Sequence, residues 1–366
     1  MPLIVGGGPA GAAAAIRLAQ AGMAPVIVER TAVAADVLCG GFLSWNSVEL
    51  LHRCHVDPQR LGGHAIRRAR IFAGKRIVEL ALPATAMGLS RRRLDAALLH
   101  RAEQAGVQIR RGIAVRAIEG GIVRYADGTS ETPDCLILAS GKQDVRGAAR
   151  PAVSDDPAVG LRWRFRASER LVQMLDDAIE LHLFRQGYAG LLMQEDGAAN
   201  LCLAVRQSAF SGVGRRPDAM LAAIMADIPG LSERLACSSI GKAQAIANIP
   251  YGWRARGGTD HLYRVGDQAA VIPSLVGEGV GIALATGIAA ADAIIAGVAP
   301  QPYQAAGSRQ IALPIGFATL LWSLAERPAL AGPVLALLAT LPSVGSLAMR
   351  MTRAPMFRPV GIQVQP

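Results

Sequence analysis

The chain of 366 residues reads as an α/β (α+β) protein. A dinucleotide-binding unit is interleaved with a second unit built on a β-sheet, and a helical C-terminal segment follows. Three observations predict this. Residues 3–29, LIVGGGPAGAAAAIRLAQAGMAPVIVE, run from an apolar stretch through a glycine turn and an alanine-rich helical stretch to a second apolar stretch ending on an acid. Between residues 157 and 257 lie four alternating runs (159–165, 179–184, 189–193 and 200–205), the pattern of sheet strands. Residues 262–291 then return to strand, acid, glycines and a long Ala/Gly-rich helix.

The first unit is justified residue by residue. Leu3 to Val5 is a buried strand, and Gly6-x-Gly8-x-x-Gly11 follows it. Gly6 permits the turn, Gly8 lets backbone approach a pyrophosphate, and Gly11 lets helix and strand pack closely. The helix start, with Pro9 and Ala10, offers N–H groups and a positive dipole end to phosphate. Glu29 stands 18 residues past Gly11, placed to accept hydrogen bonds from a ribose diol, and Arg30 adjoins it. These residues alone do not separate FAD from NAD.

The next elements follow in order. Ala65 to Phe72 and Arg76 to Leu82 read as a hairpin around Ala73-Gly74-Lys75. Leu89-Ser90-Arg91-Arg92-Arg93-Leu94-Asp95 opens a helix. Asp127-Gly128 is a hairpin turn, and Asp134 to Gly141 is a strand ending in Ser140-Gly141. Residues 144–156 are a crossover, and Pro217 to Asp227 is a helix within the second unit. Leu262 to Val265 is a strand leading to Gly266-Asp267, Pro273 and Gly277-Glu278-Gly279. The expected division is 1–72, 88–150 and 258–300 for the dinucleotide unit, 73–87 and 151–257 for the sheet unit, and 301–366 for the helical segment.

That last segment is apolar from Ile311 to Ala325 and uncharged from Ala329 to Met349. Gly332, Pro333, Pro342 and Gly345 interrupt it, Glu326-Arg327-Pro328 splits it, and Arg350, Arg353 and Arg358 follow. Three readings are open: helices that cap the domain or line an apolar tunnel, a peripheral membrane contact, or a span.

Apolar residues make up 51% of the chain, which supports a sizeable core. The net charge is +10, but the arginines are scattered without interleaved aromatics, so no nucleic-acid partner is expected. Cys39, Cys54, Cys135, Cys202 and Cys237 lie far apart, as reduced thiols of a cytoplasmic protein do. His52, Cys54 and His55 fit a helix surface and core, and no metal site is expected. The oligomeric state is not legible.

Several segments together resemble the para-hydroxybenzoate hydroxylase and geranylgeranyl reductase superfamily of FAD-dependent oxidoreductases, over roughly residues 1–300. The Gly6 to Glu29 run is similar to its Rossmann-like fingerprint, and Gly266-Asp267 through Gly277 and Gly279 to its second FAD motif. Arg91 stands where the family has an arginine reaching FAD, and Cys39-Gly40-Gly41 resembles a segment passing the flavin. The resemblance implies one FAD held by Gly6, Gly8, Pro9, Ala10, Gly11, Glu29, Arg30, Cys39, Gly40, Gly41, Arg91, Ser140, Gly141, Gly266, Asp267, Pro273, Gly277 and Gly279. It implies NAD(P)H as electron donor.

Gly187-Tyr188-Ala-Gly190-Leu-Leu192-Met193 departs from the reductases' Tyr-x-Trp-x-Phe-Pro at all but Tyr188. Residues 248–253, Asn-Ile-Pro-Tyr-Gly-Trp, only faintly echo the flavin halogenase signature. The expected activity is therefore oxygenation of a hydrophobic small molecule through a flavin C4a-hydroperoxide. Hydride reduction of a C=C bond is the alternative, and non-catalytic flavin or lipid binding a further one. No general acid or base announces itself; Cys39, Tyr188 and His182 are the candidates.

Overall fold

The structure, a computed structural model, describes residues 1–236, 238–257, 261–355 and 357. Cys237, Arg358 and the boundary expected at residue 258 lie outside them. The chain opens with β1 (Pro2–Val5), α1 (Pro9–Gln20) and β2 (Val26–Glu29). There follow β3 (Phe42–Leu43), α2 (Trp45–Arg53), β4 (His64–Ala73), β5 (Arg76–Gly88), α3 (Arg91–Gln104) and β6 (Gln108–Arg111). A meander of β7 (Val115–Glu119), β8 (Ile122–Tyr125) and β9 (Ser130–Glu131) leads to β10 (Cys135–Leu138). The middle of the chain holds β11 (Ala158–Arg166), α4 (Glu169–Leu175), β12 (Ala178–Phe184), β13 (Gly187–Met193) and β14 (Ala198–Arg206). It continues through α5 (Gln207–Gly212), α6 (Pro217–Asp227), α7 (Pro229–Leu235) and β15 (Gln244–Ile249). The last elements are β16 (Leu262–Arg264), α8 (Gly279–Ile295), α9 (Pro300–Gln310), α10 (Ala312–Ala325), α11 (Pro328–Thr340) and α12 (Pro342–Met351).

The first sheet has five parallel strands in the order β16-β10-β1-β2-β6. Its central strands are continuous apolar runs, because helices and the meander cover both faces. α1 and α8 pack closely on one side. Where they cross, a side chain at Gly287 would strike the Ala10 carbonyl, so small residues set the distance between the two helices. Gly11 does the same between α1 and β1, where a Cβ would collide with the Gly6 carbonyl. The meander turns at Asp127-Gly128, with the Asp127 carboxylate accepting from Thr129 N at 2.9 Å.

The second sheet has eight strands in the order β15-β11-β14-β13-β12-β4-β5-β3. All its pairs are antiparallel except β4 with β12. Within this sheet β4, residues 64–73, pairs with both β5 and β12, and the short edge strand β3 pairs with the end of β5. One face of this sheet packs on α4–α7 around Trp163, Leu171 and Leu231. The other packs against α10–α12 through Val78, Leu183, Tyr188, Trp322 and Leu335. Among the described residues, no helix is long and apolar enough to cross a membrane.

Candidate functional site

A single cavity of about 850 Å³ runs from the carboxyl edge of the five-stranded sheet to the inner face of the eight-stranded one. This edge is where open parallel sheets bind ligands.

At the near end, Gly6 holds a left-handed φ of +109°, with the Ala139 carbonyl closing off the space a side chain would need. Gly8 precedes α1 without offering a side-chain cap, and the first turn of α1 carries no acid. Glu29 ends β2; its carboxylate accepts from Gly7 N at 2.7 Å and from Thr31 N at 2.9 Å while lining the cavity. Arg91 is the first residue of α3 because Ser90 caps that helix, accepting from Arg93 N at 3.3 Å. The Arg91 guanidinium forks onto Asp95 with two bonds of 2.8 Å and faces Gly8.

In the middle, Gly266 (φ +58°) turns the chain from β16 and Asp267 lines the cavity, 3.8 Å from Lys142 Nζ. α8 begins at Gly279 beside the same space. Opposite it runs the Cys39-Gly40-Gly41 backbone, where Cys39 Sγ accepts from Gly41 N at 3.4 Å. Of the eighteen residues expected to hold cofactor, sixteen line this cavity. The two exceptions are Gly11, which serves helix packing, and Pro273, which is buried behind the Ser274 turn.

Sequence reasoning missed several residues that hold these loops. Asn200 is fully buried on β14 and donates to the carbonyls of Cys39 (3.3 Å) and Gly40 (2.8 Å). Arg162 on β11 donates to Asn200 at 2.6 Å and to Asp36 at 2.8 Å. Buried Gln268 donates to the carbonyls of Gly141 (2.9 Å) and Gln143 (3.0 Å). The available signal for Asn200 was a polar residue set within an otherwise apolar run, residues 198–205.

At the far end the wall is aliphatic: Ile71, Leu80, Ile179, Leu181 and Leu183 from the sheet, Leu321, Leu324 and Leu335 from the C-terminal helices. Gly190 of β13 lines this end without a side chain. A polar knot interrupts this wall. Tyr188 donates to Ser274 Oγ at 2.8 Å, and the Tyr251 hydroxyl shares the same Ser274 oxygen. Burial pushes the Tyr188 hydroxyl well above the usual tyrosine range and Tyr251 up to about 12, so both stay protonated at neutral pH.

His182 is corrected by strand alternation. Ile179, Leu181 and Leu183 face the cavity, so Glu180 and His182 face α4–α7. There His182 stacks on Phe72 with ring centroids 4.3 Å apart and meets Glu180 Oε2 at 3.2 Å. Burial holds its pKa below the ordinary histidine value, against the pull of Glu180. It is a core residue, away from the cavity.

The glycine cradle, the uncapped start of α1 and the two acids at strand ends fit a dinucleotide with two phosphates and two polyol stretches. Comparison with known proteins agrees. Residues 2–146 match the FAD binding domain family. Menaquinone reductase of Mycobacterium tuberculosis is 26% identical over 324 residues, 79% of this chain and 75% of that protein. The Mycolicibacterium smegmatis menaquinone reductase is 27% identical over 328 residues, covering 81% and 76%. Among solved structures, the flavin-dependent brominase Bmp2 superposes with a TM-score of 0.78 at 17% identity, over 98% of this chain and 94% of that one. Pseudomonas aeruginosa PqsL with 2-aminobenzoylacetate gives 0.72 at 17%, over 92% and 99%. At these identities the structures share the fold.

Proposed function

We propose, for a chain that fits the FAD-dependent oxidoreductase superfamily, that it oxygenates a neutral hydrophobic small molecule using electrons from NAD(P)H. The balance is substrate, O2, NAD(P)H and a proton giving hydroxylated substrate, NAD(P)+ and water. Reduced flavin supplies the electrons and the means of activating O2. The chain's own residues supply the rest. Glu29 is assigned to the ribose diol, the α1 start to the pyrophosphate, Asp267 to the ribityl chain and the α8 start to the ring. The aliphatic wall keeps water from the reacting centre.

The observation that carries this reading is the polar complement of that wall. Tyr188, Tyr251 and Ser274 are neutral hydroxyls, able to orient a substrate oxygen by hydrogen bonds. The match to proteins named menaquinone reductases favours a second reading, reduction of the substrate, with hydride transfer to a C=C bond as its form.

The two readings separate with the FAD-loaded protein, NAD(P)H and an alkyl-substituted phenol as probe. Oxygenation predicts substrate-dependent oxygen uptake and label from isotopic dioxygen in the product. Loss of a double bond from a prenyl quinone under anaerobic conditions, without such uptake in air, would overturn it.

Cofactor contacts are tested separately. Glu29→Ala and Asp267→Ala are each expected to weaken FAD binding by about 1–3 kcal/mol, read by flavin fluorescence titration. If both variants bind as tightly as the parent, the polyol assignments fail.

A further inference from the structure

Eight of the fourteen large apolar side chains left exposed among the described residues fall between Leu313 and Leu347. On α11 they make one stripe: Leu330, Val334, Leu337 and, at the helix end, Leu341, spaced by four, three and four residues. Val334 is 39% exposed and also lines the cavity, beside Leu335 and Met349. One residue of the stripe thus also borders the cavity.

The charge around the stripe has one sign. From residue 293 to the end of the sequence the sole acid is Glu326, and its carboxylate is taken up by Arg206. Arg309, Arg327 and Arg350 are exposed. Across the groove, exposed Arg76 packs on Gly332, with Cδ 3.4 Å from where a Cβ would stand. α10, α11 and α12 have 14, 13 and 10 residues, each short of the roughly 20 a span requires. Helices of these lengths cannot span, so an exposed apolar stripe with basic residues beside it is left to meet the interface plane. A second copy of the chain docked here about a twofold axis would bring the arginines of both copies together.

We propose that α10–α12 seat this protein on an anionic lipid bilayer, with the α11 stripe at the acyl boundary, so that the cavity opens onto the membrane. An apolar substrate then passes between lipid and cavity without crossing water. That last step rests on the hydrophobic-substrate reading above, whereas the seat does not.

The test is flotation of the full-length, FAD-loaded protein with vesicles of mixed phosphatidylcholine and phosphatidylglycerol, beside vesicles of phosphatidylcholine alone. The parent is expected to float with the mixed vesicles and to be released by salt. A Leu330→Glu, Leu337→Glu double variant is expected to bind at least about tenfold more weakly. Both positions are exposed, so its flavin content and melting midpoint should match the parent's. A parent that stays at the bottom overturns the proposal, as does a double variant that floats equally. A parent that is dimeric and does not float, with a monomeric double variant, also overturns it and assigns the stripe to a second copy. Flotation needs neither substrate nor electron donor, so an inactive protein that floats refutes only the oxygenase reading, and an active one that does not float refutes only the seat.

Discussion

Replacing Gly279 with leucine is expected to leave the apoprotein at least as stable as the parent and to lower its FAD affinity by about 100-fold, or about 2.7 kcal/mol. Gly279 is the first residue of α8 and lines the cavity, and a Cβ built there meets nothing within 4 Å. A leucine thus projects into the space assigned to the flavin. In the helix itself leucine is preferred over glycine by up to about 1 kcal/mol. The neighbouring helix glycines make the contrast. A side chain at Gly281 would collide with the Glu278 carboxylate, and one at Gly287 with the Ala10 backbone. Substitution at Gly281 displaces the Glu278 carboxylate and at Gly287 breaks the α1–α8 packing; either loses flavin indirectly, with the melting midpoint falling in step. Thermal melts of the apoproteins and flavin titrations separate the two behaviours. If Gly279→Leu binds FAD like the parent, the α8 tip does not face the cofactor.

Much of this site was legible because its chemistry is backbone chemistry. Gly6, Gly8, Gly141 and Gly266 are required for what they lack, and such positions recur in a fixed order between strand and helix. The strand–acid junctions at Glu29 and Asp267 are equally local. What stayed hidden depends on contacts across long stretches of chain. Asn200 reaches the Gly40 carbonyl 160 residues away, and Gln268 reaches Gly141 across 127. Neither pairing leaves a periodic trace. His182 was misplaced for a different reason: its strand is identifiable from composition, but not which face of the strand meets the cavity. Leu181 and Leu183 alternate with Glu180 and His182; Leu183 and the polar set are buried, the polar set by Arg70 and Arg234, and Leu181 is half-buried. With no solvent face, alternation alone gives two equivalent answers. The pairing of β4 with β12 is parallel and distant and leaves no local trace, whereas the β4–β5 hairpin is local and was legible.

Glu278 is the residue whose loss should cost the fold most. Its carboxylate is fully buried at the start of α8 and takes four hydrogen bonds: from Ser44 Oγ (2.6 Å), Asn46 Nδ2 (2.7 Å), Arg353 Nη1 (2.7 Å) and Ala354 N (3.1 Å). It thereby joins the cap of α2, the tip of α8 and the chain leaving α12. Arg353 lies over the Trp45 ring at 4.8 Å, and burial holds its pKa below the usual arginine value, against the pull of Glu278. Removing one partner of such a pair leaves an uncompensated buried charge. Glu278→Ala is therefore expected to destabilise the protein by about 3–5 kcal/mol in urea unfolding and to release flavin as the α8 tip shifts. Adding Arg353→Met should recover part of that loss, because the stranded cation is removed with it. The cycle discriminates between causes. If the double variant is no more stable than Glu278→Ala alone, the lost stability comes from the unpaired groups on α2, and the ion pair is not what fastens the C-terminal helices to the flavin site.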